Sequence, residues 1–79
     1  MRIIHEHALL ELMNSKAAKD SVIYRMIVKQ FISEWRLATA CSKYDEAEIR
    51  NKLAVKVITA KNSAEQRAYG ACWRIINNT

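Results

Sequence analysis

Hydrophobic residues recur along this chain at three- and four-residue steps, with polar residues on the intervening faces. That is the period of amphipathic α-helices and not the alternation of strands. Four helical segments are expected, over residues 5–16, 22–41, 46–60 and 64–77. The first places Ile4, Ala8, Leu9, Leu12 and Met13 on one face, with His7 and Glu11 one turn apart on another. Asn14, Ser15, Lys16 and Lys19 read as its fraying C-terminal end.

Asp20 and Ser21 offer an N-cap to the second segment, whose pattern is the strongest in the chain. Tyr24, Val28, Phe31, Trp35 and Ala38 follow steps of four, three, four and three, a heptad-like seam. Ile23, Met26, Ile27 and Ile32 widen that seam, while Arg25, Lys29, Ser33 and Arg36 take the remaining face. A helix apolar over so much of its circumference has to touch several neighbours, so this segment is expected at the centre of the fold.

Ser42, Lys43, Tyr44 and Asp45 break the pattern, and Asp45 with Glu48 fits a capping pair for the third segment. Ile49, Leu53, Val57 and Ala60 face inward there, and Glu48, Lys52 and Lys56 climb the outer face. Lys61 and Asn62 end it. Ser63 then opens the last helix as a capping box with Gln66. Ala68, Tyr69, Cys72, Trp73, Ile75 and Ile76 form its buried side, opposite Arg67, Gly70 and Arg74. Gly70 either permits a close helix approach or marks a weak point, and Asn77, Asn78 and Thr79 form a frayed tail.

Composition agrees with helices alone. There is no proline and one glycine, so the turns of an all-β domain cannot be supplied. At 79 residues there is room for one domain, an all-α bundle of about four helices whose core is marginal without help from a second copy. The net charge of +5 favours acidic partners: nucleic acid, an anionic membrane or an acidic protein face. The first residues carry no apolar core of a secretory signal, and charges interrupt every apolar run, so no signal peptide, membrane span or membrane partner is expected. Cys41 and Cys72 match no metal spacing and are expected reduced, in the cytoplasm.

Four chemistries follow from the residues. His5, Glu6, His7 and Glu11 contain zinc-ligand types, but on a helix His5 and His7 point about 200° apart, so no metal site is expected. Cys41 lies near a helix C-terminus, where a thiolate is disfavoured, and Cys72 sits among apolar residues; no catalytic residue, cofactor or small-molecule substrate is expected. Basic stripes at Arg25, Lys29 and Arg36, at Lys52 and Lys56, and at Arg67 and Arg74 suit nucleic-acid phosphates, with the last two helices as a divergent helix-turn-helix. Tyr24, Phe31 and Trp35, with Arg36 beside them, are the anchor types of a protein interface.

The function expected is therefore non-enzymatic: a small helical regulator, adaptor or inhibitor binding a protein partner, itself a homodimer. Short basic helical chains of this kind have the general character of phage- or plasmid-encoded modulators. Direct nucleic-acid binding through the basic stripes is the alternative.

Overall fold

The computed structural model describes residues 3–40 and 46–77. Among them are five helices: α1 (Ile3–Met13), α2 (Lys16–Asp20), α3 (Val22–Ala40), α4 (Glu46–Thr59) and α5 (Ser63–Asn77). The fold is an all-α bundle. The expected break over Ser42, Lys43, Tyr44 and Asp45, and the position of Cys41, lie outside the described residues.

The fifth helix comes from the stretch expected to fray. Asn14 and Ser15 donate backbone bonds to the carbonyls of Glu11 and Leu12, three residues back, which tightens the end of α1. Ser15 is extended (φ −70°, ψ 160°), and its Oγ accepts from the Ala18 N–H at 3.3 Å, so it caps a new helix. The same hydroxyl donates to the Leu12 carbonyl at 2.6 Å. Lys16 and Lys19 thus belong to α2, and its single turn buries Ala18. Ser21 is extended in turn, and its Oγ accepts from the Tyr24 N–H at 3.2 Å, which starts α3; Asp20 is the last residue of α2.

The start of α5 also differs from expectation. Asn62, and not Ser63, is the cap: its Oδ1 accepts from the Glu65 N–H at 2.9 Å, and its carbonyl accepts from Gln66 N. The Glu65 carboxylate folds back to accept from the Lys61 N–H at 3.0 Å. The charged Glu65 near the helix N-terminus is also favoured by the helix dipole, which Gln66 is not.

Helix α3 packs against α1, α2, α4 and α5, and α5 packs against α1, α3 and α4. The expected seam, apart from Ala38, whose side chain lies outside the described residues, is the core of this arrangement. Tyr24, Val28, Phe31, Ile32 and Trp35 are buried on α3, facing Leu9 of α1, Ile49 and Leu53 of α4, and Ala68, Cys72 and Ile76 of α5. Phe31 and Trp35 stack with centroids 5.9 Å apart and planes 27° from parallel. The radius of gyration is 11.8 Å, close to the ~11.6 Å of a compact chain of this length.

Two expectations about this core are corrected. Ile23 and Met26 do not widen the buried seam; both are exposed, because they lie on the side of α3 turned away from it. Gly70 permits no close approach between helices, since a Cβ built on it meets nothing within 4 Å, and its φ is not positive. Neither sterics nor backbone geometry requires glycine there. Gly70→Ala is therefore expected to raise stability by up to about 1 kcal/mol, read as a higher melting temperature; a lower one would mean that the glycine serves the fold.

Candidate functional site

Three surfaces carry the chemistry that the sequence offers. The first is the outer face of α3. Tyr24 and Phe31 are 5% exposed and Trp35 1%, so these three expected anchors are spent on the core of the chain itself. What α3 leaves outside is an apolar cluster of Val22, Ile23 and Met26 near its start, with Leu37 on the same side eleven residues on, beyond exposed Ser33. Residues 22, 26 and 37 lie within about 60° of each other at 100° per residue, opposite the buried seam. Exposed Arg25 and Lys29 run along one edge of this side and exposed Glu34 along the other.

Arg36 shares the basic edge but is engaged within the fold. Its Nε donates to Glu6 Oε1 at 2.7 Å, pairing α3 with α1. Glu6 thereby leaves the expected histidine–carboxylate group, of which His7 is exposed and the His5 side chain lies outside the described residues. Among the described residues no three of His, Cys, Asp and Glu gather as a metal site would require.

The second surface is a groove between α3 and α4. Lys52 and Lys56 line it, facing Glu34 of α3, with Tyr69 of α5 at its floor. The Lys56 ammonium lies 5.5 Å from the Tyr69 ring centroid, in reach of a cation–π contact. Lys56 is therefore partly engaged by the ring, while Glu34 lines the same groove without an ion pair to either lysine among the described residues.

The third surface is the outer face of α5. Arg67 and Arg74 are exposed, and neither makes a hydrogen bond or ion pair among the described residues. Between them the surface dips over Gly70 and Ala71, with Val57 of α4 at one end and Ala17 and Tyr24 at the other. Burial, and to a smaller degree Cys72, pushes the Tyr24 phenol up, while the nearby Arg67 guanidinium pulls it down.

Sequence reasoning missed Val22 and Leu37, and placed Ile23 and Met26 inside. The signal was present as a second set of apolar residues on α3. Which of two apolar faces turns inward depends on the neighbouring helices, and local periodicity does not carry that. No protein-family model matches this chain, and neither does any curated protein or solved structure. Among the described residues no helix is long and apolar enough to cross a membrane. Fold and surfaces thus define a small all-helical domain whose functional reading rests on its own exposed faces.

Cys72 is a free, fully buried thiol, and burial pushes it from 9.0 up to about 12. The neutral thiol is favoured in the folded state, so its contribution to stability is full below about pH 9 and is lost as pH rises towards 12. Unfolding midpoints measured from pH 8 to 12 should fall, and should fall less steeply in Cys72→Ala. Equal slopes in the two proteins would contradict this placement of the thiol.

Proposed function

We propose that this chain is a non-enzymatic helical binding domain, a regulator, adaptor or inhibitor that acts by stoichiometric contact with an acidic protein partner docked on the outer face of α3. The observation that carries this reading is the exposure of large apolar residues on one helix face: Val22 is 75% exposed and Met26 63%, with Ile23 beside them. Single exposed apolar residues are ordinary on a protein surface, whereas the cluster of Val22, Ile23 and Met26 at the start of α3 is a contact surface. Leu37 lies on the same side about 16 Å further along the axis, beyond exposed Lys29, Gln30 and Ser33, so a partner helix laid along α3 would meet apolar side chains at both ends.

Charge selects the partner. Arg25 and Lys29 edge the cluster, on a chain of net charge +5, so an acidic flank on the docked helix is attracted. Cys72, a buried free thiol, is in keeping with a reducing, cytoplasmic setting.

The probe is a helical peptide of about 20 residues, long enough to match α3, with leucine along one seam and glutamate on the flank that meets Arg25 and Lys29. Titrated into isotope-labelled protein, it should shift the resonances of Val22, Met26 and Leu37 and saturate at one peptide per chain. Ile23→Asp with Met26→Asp should weaken it at least tenfold with the helical signal unchanged, and a lysine-flanked peptide should bind more weakly. Shifts elsewhere, equal binding of both peptides, or self-association that covers Met26 would each contradict the reading.

A further inference from the structure

The outer face of α5 raises a separate question, because its glycine serves nothing inside the fold. Gly70 has no atom within 4 Å of its Cβ position and no positive φ, yet glycine weakens a helix interior. What its missing side chain does produce is a low saddle across α5. The saddle runs from Val57 of α4 over Gly70 and Ala71 to Ala17 of α2, and Arg67 and Arg74 rise on either side. Seven residues separate the two arginines, about 10 Å along the helix axis.

We propose that this saddle seats a single-stranded nucleic acid, whose phosphodiester backbone crosses α5 over Gly70 with Arg67 and Arg74 gripping it from both sides. A guanidinium donates two parallel bonds to a phosphate, and arginine stands at both positions where lysine would offer only a point charge. No carboxylate lines the saddle; Asp20 borders Arg67 in a neighbouring depression beyond it. Of the other two basic stripes, one has Arg36 paired with Glu6 and its remaining Arg25 and Lys29 beside the apolar cluster of α3, and the other has Lys56 against the Tyr69 ring with Glu34 lining the same groove.

The shape selects a strand over the other polyanions. A duplex, whose major groove alone is about 12 Å wide, is too broad to pass between the arginines. The middle of the saddle is made by the small Gly70 and Ala71, and its only larger apolar lining residues are Val57 and Tyr24, fewer than the row of bulky side chains that a membrane surface or an amphipathic acidic helix engages. This site is independent of the apolar face of α3, and either can fail while the other stands.

The test is fluorescence anisotropy of the full chain with a labelled mixed-sequence oligonucleotide of about 12 nucleotides, a length in the range one small single-strand-binding fold covers, from low to moderate salt. Arg67→Ala with Arg74→Ala should weaken binding at least tenfold and flatten the slope of log affinity against log salt by about 1.4, two contacts at about 0.7 each. Lys52→Ala with Lys61→Ala removes the same charge elsewhere and should change affinity less than threefold. Gly70→Leu, which keeps both arginines and fills the saddle, should lose as much as the arginine pair; Gly70→Ala should lose less while melting higher. If Gly70→Leu does not fold, Gly70→Ala alone decides, because a purely electrostatic face predicts no loss. Wild-type affinity in the folded glycine variant, an equal loss in the lysine control, or equal binding of a duplex or polyglutamate would overturn the proposal.

Discussion

The contact between α3 and α5 is the constraint on which the rest of this small fold depends. The buried side of α3 carries Tyr24, Phe31 and Trp35, and that of α5 carries Ala68, Cys72 and Ile76, with Tyr69, Trp73 and Ile75 packed around them. The small Ala68 and Cys72 leave room for the bulk of the α3 aromatics. Removing a buried tryptophan costs on the order of 3–5 kcal/mol, a large share of the roughly 5–15 kcal/mol that holds a typical domain together. A chain of 79 residues has few alternatives, so Tyr24, Phe31 and Trp35 are committed to the core and are not free for partners.

That commitment decides what each helix shows to solvent. With its aromatic seam turned inward, α3 presents Val22, Met26 and Leu37 outward; with Ala68, Cys72 and Ile76 turned inward, α5 presents Arg67, Gly70 and Arg74. Because the two helices pack on each other, these outer faces lie on opposite sides of their contact. One side is apolar with a basic edge, the other polar with two unpaired arginines. A protein partner on the first and a nucleic-acid strand on the second are sterically compatible, which gives the word adaptor a physical meaning here.

Much of this was legible in the chain. The steps joining Tyr24, Val28, Phe31 and Trp35 locate the core because helical periodicity is a local property, and the absence of proline leaves long helices unbroken. The misreadings have local and long-range causes. Ser15 looked like a fraying end because its capping role depends on one hydroxyl reaching Ala18 N, and Asn62 and Ser63 are adjacent residues of equal capping aptitude until Glu65 folds back on Lys61. The Glu6–Arg36 pair spans thirty residues, beyond any local pattern. The cluster at Val22 and Met26 and the empty space over Gly70 are defined by where other helices are absent, and no single segment encodes that.

The central claim is that α3 keeps its aromatic face inside and its aliphatic face free. Hydroxyl-radical footprinting of the free protein at micromolar concentration, read by mass spectrometry, tests it most directly. Met26 and Leu37 should be oxidised rapidly while Tyr24, Phe31 and Trp35 stay protected until the chain unfolds. Rapid labelling of Trp35 or Phe31 in the folded chain, or protection of Met26, would contradict it.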